Sequence, residues 1–151
     1  MRISAALLSK GDSVMLVSTK GRYALRVMVE LAQHEKGEYV PLKTIAAAQD
    51  ISEKYLESII VVLSKDGLLD GLRGKGGGYR LNRSPDEYTA GEILRLTESS
   101  LAPVACLECE SNECSRAEDC KTLPMWKNLN SLICNYLDSV SIGDLAMGNV
   151  K

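Results

Sequence analysis

The 151-residue chain has no apolar run approaching the eighteen or so residues of a membrane-spanning helix, and "AALL" near its start is too short for a signal-peptide core. These absences predict a cytoplasmic protein with no membrane partner. Histidine is nearly missing: His34 alone is available as an imidazole base, and its place at a predicted helix end reads as a solvated or dipole-interacting group rather than a ligand. No Gly-x-x-x-x-Gly-Lys-Ser/Thr occurs, and the one approach to Gly-x-Gly-x-x-Gly breaks at Tyr79, which speaks against a nucleotide phosphate loop. Outside residues 106–120 the only cysteine is Cys134, read as a half-buried bystander. Cys106-x2-Cys109 has thioredoxin-like spacing without the strand-to-helix turn that such chemistry uses. A thiol enzyme, an electron carrier or a small-molecule substrate therefore finds little support, and the expectation is a protein that is not an enzyme.

What is present is unevenly distributed. From Leu16 to Ser84 there are eleven Lys/Arg against eight Asp/Glu, net +3, and from Pro85 to Lys151 five against eleven, net -6. A basic front and an acidic back predict that only the front meets a polyanion.

The periodicity begins after residues 1–14, which are read as an extension, either disordered or ahead of the native start at Met15. Ser18 can cap a helix whose apolar positions Ala24, Val27, Met28 and Leu31 follow helical spacing. After Pro41 comes a short helix, "LKTIAAAQ", a tight "DIS" connection and a second helix, "EKYLESIIVVLSKDG", with Ser52 as its cap. In the latter, Leu56, Ile59, Ile60 and Leu63 form one stripe, while Glu53, Lys54, Glu57, Ser58 and Val61 lie away from it. Two short helices so joined make a helix-turn-helix, with a plain helical hairpin as the alternative. Next, strands at Leu68 to Leu72 and Tyr79 to Asn82 flank the glycine-rich turn Gly74 to Gly78, with Arg73, Lys75, Arg80 and Arg83 on the hairpin. A basic hairpin directly after a helix-turn-helix reads as a wing that meets backbone or minor groove. The fold class is mainly α: a winged helix-turn-helix domain over 15–97, a cysteine-rich loop over 98–123, and a long C-terminal dimerisation helix with its tail over 124–151.

That last helix starts near Pro124, and Trp126, Leu129, Ile133, Tyr136 and Val140 form a heptad seam. It packs on its own domain or pairs with a second copy. The two-fold symmetry of DNA sites favours the homodimer on double-stranded DNA.

In this order, "STKGRYAL" at Ser18 to Leu25, "IS" then "YLE" at Tyr55 to Glu57, "LRGKGGGYRL" at Leu72 to Leu81, and three-cysteine spacing ahead of "LPMW" resemble the Rrf2 (Rrf-two) family of bacterial transcription regulators. The likeness runs from about Met15 to Leu145 and leans toward its IscR-like, cluster-binding members. It implies a repressor whose recognition helices enter successive major grooves and whose wings reach the minor groove. Matched residue by residue, Thr19, Lys20 and Tyr23 become backbone contacts, Ser52, Lys54, Tyr55, Glu57 and Ser58 fall on the recognition helix, and Arg73, Gly74, Lys75 and Gly76 form the wing tip. Glu57 either accepts a hydrogen bond from cytosine N4 or is a solvated helix charge.

The resemblance also gives the cysteines a role as ligands of an iron-sulfur cluster, 2Fe-2S ahead of 4Fe-4S. Cys114-x5-Cys120 supplies two ligands, and Cys106 or Cys109 the first. The histidine that IscR-like members carry three residues after the last cysteine is Leu123 here, so the fourth ligand is open. Four thiolates suit zinc as well, and a redox thiol switch or a repressor of cysteine metabolism controlled by a protein partner stay as alternatives.

Overall fold

The computed structural model describes residues 17–108 and 114–150; the expected extension 1–14 and the candidate ligand Cys109 lie outside them. Helix α1 (Thr19–Ala32) opens where Ser18 Oγ accepts from Gly21 N at 3.0 Å, and buries Ala24, Val27, Met28 and Leu31. Its cap and apolar face are those read from the sequence. Helix α2 (Leu42–Gln49) follows Pro41 and stops at Asp50, which sits at φ 51. Aspartate tolerates that left-handed conformation better than most residues, so the turn can be this short. Helix α3 (Glu53–Lys65) begins three residues later, with Ser52 Oγ accepting from Tyr55 N at 3.1 Å. Its stripe Leu56, Ile59, Ile60 and Leu63 is buried in the main core.

The chain then forms the hairpin of β1 (Leu69–Leu72) and β2 (Gly78–Leu81), antiparallel, with Leu69 opposite Leu81 and Leu72 opposite Gly78. Both strands differ by a residue from expectation. Leu68 N bonds Leu63 O at 3.0 Å and so finishes α3. Asn82 N is held by the Tyr88 hydroxyl at 3.0 Å, which takes it out of the ladder. Val40, just before α2, adds a third rung: its N–H and C=O exchange 2.9 Å bonds with Tyr79. A Cβ on Gly78 would collide with the Val40 carbonyl, which explains a glycine there.

Helix α4 (Ala90–Thr97) is capped by Thr89, and the cysteine segment leads to α5 (Leu123–Ser139), with Pro124 in its first turn. A short helix absent from the sequence reading, α6 (Ile142–Met147), ends the described chain. It returns to the first domain: Ala90 N donates to Val140 O at 2.8 Å, Ile142 N to Tyr88 O at 2.9 Å, and Ile142 is fully buried beside α1. The missed signal is Ser141-x-x-Asp144, a reciprocal capping box.

The predicted seam on α5 is divided. Leu129 and Tyr136 are exposed, Trp126 and Ile133 are half-buried, and Val140 is buried in extended backbone beyond the helix. Ile133 and Leu137 face Leu94 and Leu101 across one cavity. Packing against α4 thereby turns the helix so that the outward apolar stripe is Met125, Leu129, Leu132 and Tyr136, which keeps heptad spacing one residue out of phase at two positions. A fork from Arg95 to Asp138, 2.7 Å on both arms, fixes that rotation, and a Cβ on Gly91 would collide with the Asp138 carboxylate.

Candidate nucleic-acid interface and cysteine segment

The start of α1 and the start of α3 meet through two rings. Tyr23 and Tyr55 pack edge to face with centroids 5.8 Å apart, and the Arg26 guanidinium lies 4.7 Å from the centre of the Tyr23 ring. Arg26 also donates to Gln49 Oε1 at 2.8 Å and to Gln49 O at 3.3 Å, while Gln49 Nε2 donates to Glu30 at 3.0 Å. Gln49 is 9% exposed and is the buried polar side chain among the described residues. A buried amide satisfied on both sides pins the end of α2 to α1, so the helix-turn-helix has a fixed geometry before any ligand arrives. Neither Arg26 nor Gln49 carries a sequence signal for this role, because the pair is 23 positions apart.

On that frame Thr19 is exposed and Lys20 and Tyr23 are half-buried. Ser52 Oγ is engaged as the α3 cap, and Ser58 Oγ donates to Tyr55 O at 2.7 Å. Lys54 and Glu57 are exposed and engage no described side chain, so both have unspent hydrogen-bonding capacity on the outward face of α3. The wing places Arg73, Gly74, Lys75 and Gly76 together at its exposed tip, with Gly74 at φ 92 and Gly76 at φ 75, values that side chains resist. Arg80 and Arg83, also counted with the basic hairpin, are committed elsewhere. Arg80 pairs with Asp70 at 3.2 Å, and Arg83 pairs with Glu92 at 2.8 Å while covering the Tyr88 ring. His34 lies between Glu30 and Glu38, 3.3 and 3.4 Å away, a local pairing at the helix end.

The described parts of the cysteine segment consist of turns and bends, with a 3-10 turn at Ala105–Leu107. Cys106 and Cys120 are half-buried and Cys114 is exposed. Thr122 Oγ1 lies 3.4 Å from Cys120 Sγ, and this hydrogen bond, aided by backbone N–H groups and the Arg116 charge, holds the Cys120 thiol below the usual cysteine range. The donor set is soft and suits iron-sulfur or zinc, yet among the described residues no three metal-ligating side chains are gathered into one group. Leu123, at the position discussed for histidine, is buried as the first residue of α5 and serves packing.

A hydrogen-bonded contact joins this segment to the helical frame. Glu98, where the chain leaves α4, accepts from Ser18 Oγ at 2.6 Å and from Ser18 N at 3.2 and 3.3 Å. Its carboxylate therefore sits at the N-terminus of α1, where the helix dipole favours negative charge. Eighty positions separate the two residues, and the sequence alone gives no hint of the pair.

Residues 17–148 match the Rrf2 family, described as an iron-dependent transcriptional regulator. The transcriptional regulator IscR of Aliivibrio salmonicida is 38% identical over 135 residues, covering 89% of this chain and 79% of that protein. The regulator CymR of Bacillus subtilis is 39% identical over 132 residues, covering 87% and 90%. Among solved structures, CymR, the global cysteine regulator of B. subtilis, superposes with a TM-score of 0.72 at 35% identity, covering 88% of this chain and 97% of that one. IscR of T. potens does so with 0.68 at 36%, covering 89% and 88%.

Proposed function

The chain belongs to the Rrf2 family of transcriptional regulators, and on that premise we propose that it is a cytoplasmic homodimeric repressor whose hold on operator DNA follows an iron-sulfur cluster, 2Fe-2S ahead of 4Fe-4S. Cys114 and Cys120, with Cys106 or Cys109, hold the cluster. Bound there, a cluster would supply iron-sulfur bonds open to oxygen or nitric oxide, the chemistry of a sensor for iron-sulfur assembly or a related stress response.

The observation that carries this reading is the Glu98 clasp on Ser18. Thr19, Lys20 and Tyr23 follow Ser18 directly and meet the DNA backbone, while Tyr23 steadies Tyr55 at the head of α3. A cluster held by these cysteines would bear on the segment that starts at Glu98, and Glu98 holds the first turn of α1 through Ser18. Lys54 and Glu57 read base edges, Glu57 accepting from cytosine N4, and the Arg73 to Gly76 tip enters the minor groove. Through the exposed α5 stripe a second copy pairs and sets the spacing of the two recognition helices. The acidic residues around the cysteines, including Glu108, Glu118 and Asp119, keep the segment off the phosphates. A coupling of about 1–3 kcal/mol changes operator affinity about 5- to 150-fold, enough to switch a promoter.

The test is an absorption spectrum of protein purified without oxygen, with iron, sulfide and zinc assayed on the same sample, followed by operator binding of the loaded protein and its Cys114→Ala/Cys120→Ala variant. A brown sample with matched iron and sulfide and unequal affinities is expected. Equal affinities overturn the sensing reading, and stoichiometric zinc in a colourless sample makes the cysteines structural. A second reading, a repressor of cysteine metabolism answering to a protein partner, is favoured by the 39% identity to CymR and by Leu123 in the histidine position. It predicts regulation that survives loss of all four loop cysteines.

A further inference from the structure

Val61 stands out on α3. It is 62% exposed, yet it lies one helical turn beyond Glu57 and three residues beyond Ser58, on the outward face otherwise made of Lys54, Glu57, Ser58 and Lys65. It belongs to no core cluster. A β-branched residue in a helix gives up rotamer freedom, so on a purely solvated face a lysine or glutamate serves the helix better. Val61 also does not stand alone: it lines the open groove of about 540 Å³ between α3 and the wing, and Leu72, 48% exposed and next to Arg73, lines the same groove. The groove thus has an apolar side chain on both its helix side and its wing side, and Arg73 and Gly74 of the wing tip line it too.

We propose that Val61 is a specificity-determining residue that reads the C5-methyl group of a thymine in the major groove. This rests on the operator-binding reading above and deepens it. The thymine methyl is the apolar group that base pairs present in the major groove, and it is what an aliphatic side chain on a recognition helix can distinguish. Four residues of α-helix advance about 6 Å, and base pairs are stacked about 3.4 Å apart, so this thymine lies roughly two base pairs from the one read by Glu57. Leu72 closes the wing side of the groove and keeps water from the contact.

The experiment starts from an operator selected by the full-length protein from a random duplex pool. Each thymine is replaced in turn by deoxyuridine, which removes the methyl and leaves pairing intact. For the wild type, one thymine per half-site costs about fourfold in affinity, the worth of one buried methyl, and for Val61→Ala the same replacement costs nothing. Val61→Thr, which keeps a methyl, retains the discrimination, and affinity for unrelated duplex is the same in all three proteins. A deoxyuridine profile unchanged in Val61→Ala, or a wild type indifferent to every replacement, overturns the proposal while leaving DNA binding in place. A pool that yields no enriched sequence overturns the operator-binding reading itself, and this inference with it.

Discussion

Helix α3 has 13 residues and shuts four large aliphatic side chains away from water, whereas α5, with 17 residues, buries Leu123 alone within its own span. The two helices have comparable shares of apolar residues, and the difference lies in what surrounds them. Against the inner face of α3, the elements α1, α2, α4 and β1 supply apolar cover, and the turn into it is bolted by Arg26, Gln49 and two tyrosines. Along α5 the main neighbour among the described elements is α4, and Leu132, 67% exposed, marks the side left open. The first region is complete as a reading head. The second is an arm with one apolar face left open, and Cys106, Cys114 and Cys120 lie in the segment between the two regions.

The sharpest way to break that comparison is to truncate one residue on each side of it. Ile59→Ala removes a fully buried side chain and should cost about 3–4 kcal/mol in urea unfolding. Leu132→Ala should stay within about 0.5 kcal/mol at concentrations low enough to keep chains apart, and weaken self-association in sedimentation. An equal loss from both at low concentration would mean that α5 is as integral to the single chain as α3.

The next effect in size sharpens the picture of the reading head. The fully buried Tyr88 hydroxyl accepts from Asn82 N and Arg83 N at 3.0 and 2.9 Å and lies 2.9 Å from Leu68 O. Tyr88→Phe strands these groups and should cost about 2 kcal/mol by thermal melting, with the wing loosened first in amide exchange.

Glu98→Ala tests the joint. It leaves the Ser18 to Gly21 cap but removes the carboxylate, and should cost about 1 kcal/mol. On the sensing reading it also draws the operator affinities of loaded and cluster-free protein together, measured by fluorescence anisotropy. Preserved discrimination would place the coupling elsewhere.

The smallest effect is expected where the arm is fastened to the head. The Arg95 fork, the larger cause, holds the Asp138 carboxyl below its ordinary value of 3.8. A depressed folded-state value stabilises above that ordinary value, and the contribution is lost as the pH falls through the lowered one. Because both side chains are nearly half exposed, the pair is worth under about 1 kcal/mol. Asp138→Asn should flatten the acid limb of a stability profile below about pH 4 and leave neutral stability nearly unchanged.

How legible each region was follows from the range of its interactions. Ser18 and Ser52 could be read as caps because a cap and its partner are three residues apart, and the stripes of α1 and α3 because a helix face repeats within one turn. The wing was legible because Gly74 and Gly76 take positive φ to close a turn set by their immediate neighbours, whereas the need for Gly78 comes from the distant Val40 carbonyl. Ser141 and Asp144 were equally legible and were passed over, since so short a helix has little periodicity to draw attention. The rotation of α5 was not legible, because Trp126 and Met125 serve a heptad equally well until Leu94 and Leu101 claim Ile133 and Leu137.

By itself, then, the sequence determined the order of helices and hairpin, the basic front and acidic back, and the concentration of soft thiols ahead of a long helix. All of these are set by neighbours within a few residues or by composition. Only the tertiary structure decided which face of α5 is left open, that Glu98 holds the first turn of α1, and that Val61 and Leu72 share a groove. Each of those depends on side chains brought together from different elements, 80 positions apart for Ser18 and Glu98, and a contact of that kind leaves no period or spacing in the sequence from which to read it.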